Sequence, residues 1–486
     1  MTYTVEVMMN PAIQRDQAEF LYQQVVRLVR QLQQQQLLRA GDRLPSLRQL
    51  SQQLGISIPT VRQGYEELER LGVVEARDRS GYYLKAENRP TCRPARLPLS
   101  SEPVPVRQQS LLEQFYQAVH QPGILPLGIA QPSMAQPSEK ALLRTMRRVT
   151  TLAGQQVMHY GPIDGFAPLK RQLAFRYLDV GLSLQPDELI ITNGGQEALA
   201  IALQAVAKAG DVIAVESPTY FGVLELIETL GMMAVEIPVC PDDGIWLDDL
   251  QHALAHQPIR ACVFSSSISN PMGSFMPDAQ REALVQMLEQ RGIPLIEDDV
   301  YGELYFGAAR GRPAQCFSQK GLVLTCSSFS KTVAPSYRVG WLLPGRFGTE
   351  VWRLKRALSF ASSLLNQWTM SEFIASGDYD RNLKKLRQVL KLNKERMMAL
   401  VQQYFPEGTK VSNPQGGAVL WVELAKQADC SRLFQQALQQ GISIAPGTLF
   451  SPSQKFRNCF RLSFGVRWQP ELEQAIQKLG ILAQQA

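Results

Sequence analysis

Long apolar runs are missing: no stretch of about 18 uncharged apolar residues occurs in the 486-residue chain, so no membrane-spanning helix is expected. The start, MTYTVEVMMNPAIQRDQ, also lacks a basic segment leading into an apolar run, and nothing marks it as a targeting signal. Cysteine is sparse and unpatterned. The seven cysteines stand at 92, 240, 262, 316, 326, 430 and 459, an odd count without a CxxC pair. That argues against a disulfide framework or a zinc cluster and fits a reducing compartment. The four histidines form no pattern with cysteine that would hold a metal, and no metal site is expected. Excess charge is scarce too: 50 Lys+Arg against 44 Asp+Glu leave +6, which permits contact with nucleic acid without requiring it. The expectation is a soluble, cytoplasmic protein, whose 45% hydrophobic content suits a globular chain with a sizeable core and whose length fits one large domain and a small one as well as three.

What is present begins with helices. From Phe20 to Leu38, Leu21, Val25, Leu28 and Leu32 recur at helical spacing and predict an amphipathic helix closed by Gly41. In PSLRQLSQQLG, Ser46 and Gln49 form a capping box, Leu47, Leu50 and Leu54 share one face, and Gly55 ends the helix. A third helix follows in SIPTVRQGYEELERLG, with Ser57 as N-cap, Pro59 in the first turn, and Val61, Tyr65, Leu68 and Leu71 on one face. VVEARDRSGYYL reads as two short strands around a turn containing Gly81. This is the order of a winged helix-turn-helix, expected over residues 1–85. Residues 17–85 carry ten Arg+Lys against seven Asp+Glu, a weak excess that a dimer would double. Arg43, Ser46, Arg48, Thr60 and Arg62 lie at or near helix starts, where they can meet phosphates or base edges. Gly81 would let the hairpin approach a nucleic-acid backbone closely. A small helical dimerisation module would carry the same pattern.

Residues 86–124 change character: KAENRPTCRPARLPLSSEPVPVRQQS holds five prolines and almost no apolar periodicity, as a semi-extended linker does. Over residues 125–486, apolar runs such as DELIIT, DVIAVE, RACVFS, PLIEDD and GLVLTC alternate with helical patterns such as QEALAIALQAVAKAG. Alternation of this kind predicts an α/β domain with a mainly parallel sheet.

Within that domain, SSFSKTVAPSYRVG sets Lys331 among small hydroxyl residues, with Arg338 seven positions on. A lysine that forms a Schiff base with a phosphorylated aldehyde needs a phosphate cradle, a partner for a pyridine nitrogen and a group against the ring. TNGGQEAL places Gly194, Gly195 and Gln196 between a strand and a helix start, where free N–H groups and the helix dipole can hold a phosphate. Ser328, Ser330 and Arg338 add hydroxyl and guanidinium donors. IEDDVY puts Asp298 at a strand end, with Tyr301 three residues later. A carboxylate there can keep a pyridinium protonated. Asn270 in SNPMG and Tyr301 can hydrogen-bond a phenolic oxygen beside the imine, and Tyr220 in ESPTY can lie on the ring. Each has an ordinary alternative: a solvated loop lysine, strand-end carboxylates at Asp298 or Asp299, core aromatics.

In the order YGPIDG, TNGGQ, ESPTY, SNPMG, DDVY, SFSK, R, RLSF, the chain from about residue 125 resembles the fold type I aminotransferases dependent on pyridoxal phosphate. The resemblance implies Lys331 as the cofactor-bearing lysine, Asp298 as pyridine partner, Asn270 and Tyr301 at the ring oxygen, and Tyr220 stacked on the ring. It further implies that Tyr160 reaches the phosphate of a neighbouring subunit, hence a dimer, and that Arg461 in FRLSFG clamps a substrate α-carboxylate. The first eighty-five residues resemble the GntR type of winged helix-turn-helix, whose RLPSxRxLA stretch stands here as RLPSLRQLS. Together the two resemble the MocR subfamily of GntR regulators. The fold expected is α/β: a winged helix-turn-helix, then a large domain with a mainly parallel sheet and a smaller C-terminal α+β part. The function implied is a DNA-binding regulator that responds to an amino compound or to the cofactor. It would be a homodimer, which the long linker allows to be head-to-tail. The alternatives are an aminotransferase with an accessory helix-turn-helix, and a cofactor of structural use alone.

Overall fold

The computed structural model describes residues 20–34, 38, 42–70, 73–77, 81–84, 94, 98–99, 102–107, 109–119, 121–130, 132 and 139–486. It separates into two compact units, Met1–Pro90 and Thr91–Ala486.

In the first unit, helices Leu21–Gln34, Leu47–Leu54 and Ile58–Arg70 precede the antiparallel strands Val74–Arg77 and Gly81–Leu84. The capping box forms as its residue types dictate: the Gln49 N–H donates to Ser46 Oγ (3.3 Å) and the Ser46 N–H to Gln49 Oε1 (3.0 Å). Gly55 closes the helix at φ 62°, a left-handed conformation that costs glycine little. Ser57 Oγ accepts from the Thr60 N–H at 3.3 Å and so caps the third helix. Val25, Leu50, Val61, Tyr65, Leu68, Val74 and Leu84 close over one another as the core. Gly64 lets the first and third helices touch, because a Cβ there would fall 2.8 Å from Val25 Cγ1. The buried Tyr65 hydroxyl donates to the Pro45 carbonyl (2.9 Å), fixing the entry to the second helix.

Two expectations shift. The first helix ends at Gln34, and Leu38 lies beyond it with its N–H on the Leu32 carbonyl (3.2 Å); Gly41 lies outside the described residues. Gly81 opens the second strand, opposite Arg77, instead of sitting in the turn; residues 78–80 are outside the described set.

The second unit is built on a sheet that has nine strands among the described residues. Its spatial order is Val104–Pro105, Met233–Cys240, Val212–Ser217, Ile259–Phe264, Leu295–Asp298, Val323–Ser328, Gly340–Leu343 and Ile190–Thr192, with Gly244–Ile245 beside Met233–Cys240. The central five strands are parallel; Val104–Pro105 and Gly340–Leu343 run against their neighbours. Val212–Ser217 is buried at every position, as expected for a parallel strand covered on both faces. A second sheet orders Lys410–Val411, Val419–Glu423, Cys459–Ser463 and Ala445–Pro446. The 27-residue helix Asp378–Tyr404 precedes it. Among the described residues no helix is long and apolar enough to cross a membrane.

Candidate functional site

Open α/β sheets bind ligands beyond the carboxyl ends of their parallel strands, where loops diverge. Four such ends converge here. Val212–Ser217 leads to Tyr220, Ile259–Phe264 to Asn270, Leu295–Asp298 ends on Asp298, and Val323–Ser328 ends beside Ser330 and Lys331. The edge strand Ile190–Thr192 brings Gly194, Gly195 and Gln196 to the same end of the sheet.

Lys331 is half-buried, and its Nζ lies 6.0 Å from the centroid of the Tyr301 ring. Burial first, then the charges of Arg461 and Arg338, push its ammonium down to about 8, against the pull of Asp298. Burial pushes the Asp298 carboxyl up to about 6, with Asp299 and Glu297 adding to it, although the Val300 N–H and Lys331 act the other way. Each thus stands within reach of a change of state near neutral pH, as groups in a reactive site do.

The glycine loop is set by contacts that no side chain would survive. Gly194 has φ 85° and ψ 176°, a region essentially confined to glycine. A Cβ there would lie 2.7 Å from Arg338 Cζ, and one on Gly340 would lie 2.5 Å from the Gly194 carbonyl carbon. Arg338 itself takes a left-handed φ of 51° and donates from Nη2 to the Asn193 carbonyl (2.6 Å). Ser328 Oγ accepts from the Ser330 N–H (3.3 Å), while Ser330 Oγ is buried with no partner among the described residues. A helix N-terminus, a guanidinium and an unpaired hydroxyl make an anion cradle. Gly194→Ala is therefore expected to displace Arg338 and weaken cofactor binding by about 1–3 kcal/mol, read as a higher dissociation constant in an absorbance titration.

The other residues singled out fall into three groups. Tyr220 sits over Gly222, where a Cβ would meet its ring at 2.5 Å. The Gln196 side chain donates to the Gly222 carbonyl (2.9 Å), steadying that turn. Tyr301 and Asn270 are buried but engaged: the Tyr301 hydroxyl donates to the Ala130 carbonyl, and Asn270 Oδ1 accepts from Arg461 Nη1 (2.8 Å). Arg461 is 1% exposed, its guanidinium carbon 5.1 Å from the Phe221 ring centroid and 4.9 Å from that of Phe450, with Nη2 on the Gly128 carbonyl (2.7 Å), and its Nε has no partner among the described residues. Tyr160 stands apart, 85% exposed, with its ring edge-on to Phe360 at 5.2 Å.

Sequence reasoning named Asp299 only as a strand-end carboxylate and passed over Glu216, Arg310, Glu303, Lys355 and Glu197, charged groups in and under this site. Glu216 is buried, and burial, with Asp298 adding, pushes its carboxyl up to about 8 against hydrogen bonds from Ser265. Asp299 pairs with Arg310, which also reaches Glu303 (3.1 Å). Lys355 pairs with Glu197 at 2.9 Å. Nothing local in the sequence marks these partners. His252 and His256, one turn apart, stack at 4.1 Å, and among the described residues no group of metal-ligating side chains forms a metal site.

In the first unit Arg43, Ser46, Arg48, Arg62 and Gly81 are exposed and Thr60 is half-buried. Arg43 bridges to Tyr83, and its Nε lies 3.4 Å from where a Gly81 side chain would begin.

Residues 122–479 match the model of aminotransferase class I and II, and residues 21–84 match that of bacterial regulatory proteins of the gntR family. The chain belongs to the aminotransferase class I and II family and, with its GntR domain, to the MocR-type fusions. It is 35% identical to an uncharacterized HTH-type transcriptional regulator, YjiR of Escherichia coli (strain K12), over 94% of this chain and 98% of the relative. It is 27% identical to 2-aminoadipate transaminase of Thermus thermophilus, over 77% of this chain and 93% of that protein. Among solved structures it resembles LysN, the α-aminoadipate aminotransferase of Thermus thermophilus, complexed with N-(5'-phosphopyridoxyl)-L-leucine. There the TM-score is 0.70 at 26% identity, covering 78% of this chain and 95% of that one. The cofactor implied is pyridoxal 5'-phosphate. The donor set fits it: an anion cradle with an unpaired Ser330 hydroxyl, a lysine with a depressed pKa, and a carboxylate at a strand end.

Proposed function

We propose that the protein is a cytoplasmic DNA-binding transcriptional regulator, working as a dimer, that holds pyridoxal 5'-phosphate through Lys331 and responds to an amino compound. The observation that carries this reading is the meeting of Lys331, Asp298 and Arg461 at one end of a sheet in a chain that also has a winged helix-turn-helix. Gly195, Gln196, Ser328, Ser330 and Arg338 would take the phosphate. Asp298 would face the pyridine nitrogen, Asn270 and Tyr301 the ring oxygen, and Tyr220 the ring face. The outward setting of Tyr160 suits a residue that serves the partner subunit's site. Arg43, Ser46, Arg48, Thr60, Arg62 and Gly81 would meet the operator.

When bound, the cofactor supplies an aldehyde carbon that bonds reversibly to amines and a ring that takes up electron density. Lys331 can form that bond only as a neutral amine, and its depressed pKa provides one near neutral pH. Arg461, beside the rings of Phe221 and Phe450, orients an incoming α-carboxylate. An amine ligand held there would contend with Lys331 for that chemistry, and Lys331, when free, would be an amine able to hold a proton. Any change in operator affinity then reflects the ligand's different affinity for the two states of the protein.

Uptake of the cofactor by cofactor-free protein should accelerate as pH rises through about 8 and level off above it. A rate still climbing toward 10.5, the ordinary lysine value, would place Lys331 in open water. The function itself is tested by an absorbance titration of the loaded protein with amino acids and amines, followed by gel shifts on its own upstream DNA with the responders. Stoichiometric conversion with tight specific DNA binding supports the regulator; sustained turnover without specific DNA binding contradicts it.

A further inference from the structure

Lys355, on the helix Gly348–Leu358, is 0% exposed. Its Nζ reaches Glu197 Oε2 (2.9 Å), Ser359 Oγ (2.8 Å) and Ser362 Oγ (2.9 Å). Three acceptors match the three N–H groups of an ammonium, so the charge is buried with its donors satisfied. Glu197 is the second link. Its carboxylate accepts from the Asn193 N–H (2.6 Å) and Asn193 Nδ2 (3.1 Å). Burial disfavours its charge, but hydrogen bonds from Ser359 and the Asn193 N–H, together with Lys355, hold its carboxyl below the usual range. The Asn193 carbonyl in turn receives Arg338 Nη2 (2.6 Å), and Asn193 leads directly into Gly194 and Gly195. On the other side, Ser359 and Ser362 bracket Phe360, which sits at φ 57° and meets Tyr160 edge-on.

We propose that Lys355 is a positioning residue for phosphate recognition: through Glu197 and Asn193 it holds the glycine loop and Arg338 in the shape that accepts a phosphate. The inference rests on the reading of that loop as the phosphate cradle. A lysine that merely filled the core would support the fold, but would not distinguish a phosphorylated ligand from its unphosphorylated form.

The test compares pyridoxal 5'-phosphate with pyridoxal, which has the same ring and aldehyde but no phosphate. Both dissociation constants are measured by absorbance on the full-length chain with its cofactor removed. Lys355→Met should lower the preference for the phosphorylated ligand by about tenfold or more, the scale of one charge-assisted hydrogen bond, while pyridoxal affinity changes little. Glu197→Gln keeps the side-chain shape, so it serves if Lys355→Met does not fold, and it should move the ratio the same way. The double variant should lose little beyond the larger single loss, since the two act in one chain of contacts. Equal weakening of both ligands, or an unchanged ratio in a wild type that prefers the phosphate, overturns the role of Lys355 alone. A wild type with no such preference overturns the cradle reading as well.

Discussion

Lys331→Ala should remove the visible absorption band of the bound cofactor and abolish the effect of amino compounds on operator binding. Alanine leaves the phosphate cradle, Asp298 and Arg461 in place, so noncovalent binding of the cofactor can persist. What disappears is the amine that exchanges with a ligand. Couplings between distant sites typically amount to about 1–3 kcal/mol, so the wild type should change its operator affinity by a factor on the order of 5–150 when a responding ligand binds. In the variant that factor should fall to about one. Operator binding without ligand should survive, because the winged helix-turn-helix closes its own core around Val61, Tyr65 and Leu68. The check is a pair of measurements on one sample: the absorbance spectrum and a gel shift with and without the responder.

Arg48→Ala and Arg62→Ala should each weaken operator binding by about 1–3 kcal/mol if the side chain reads a base edge. If instead it meets a phosphate, the loss should be similar on all sequences, and the slope of log affinity against log salt should become shallower by about one. Both arginines are exposed on helices whose starts are capped, at Ser46 by a full capping box and at Ser57 by its hydroxyl. Their removal therefore touches no buried contact of the unit. Fluorescence anisotropy on the operator and on a scrambled duplex, over a range of salt, separates the two outcomes. Cofactor spectra should stay unchanged in both variants.

How much of the fold could be read in advance depended on how local each determinant is. The capping box at Ser46 and Gln49 lies within one turn, and Gly55 ends its helix for a reason contained in its own backbone. The alternation of apolar runs and helical patterns marks the mainly parallel sheet because strands covered on both faces must be apolar throughout. The first helix was harder. Its spacing continues to Leu38, but that residue packs by a bond back to Leu32 outside the helix.

The site divides along the same line. Residue order and type draw attention to Lys331, Asp298 and the Gly194–Gly195 turn, since these sit in short motifs at strand ends. The contacts that tie the site together join residues far apart in the chain, and no single motif shows them. Lys355 and Glu197 are 158 residues apart, Tyr301 and Ala130 171, and Arg461 and Asn270 191. The left-handed φ of Arg338 is equally silent in sequence. Buried charge networks such as Asp299, Arg310 and Glu303 need the assembled fold before any member looks unusual.

The most direct test of the central claim is the operator affinity of the loaded wild-type protein, measured by anisotropy while an amino compound that alters its absorption spectrum is titrated in. The account predicts that affinity and spectrum change together, with one shared midpoint, and that Lys331→Ala abolishes both. An operator affinity that stays constant while the spectrum changes would contradict it.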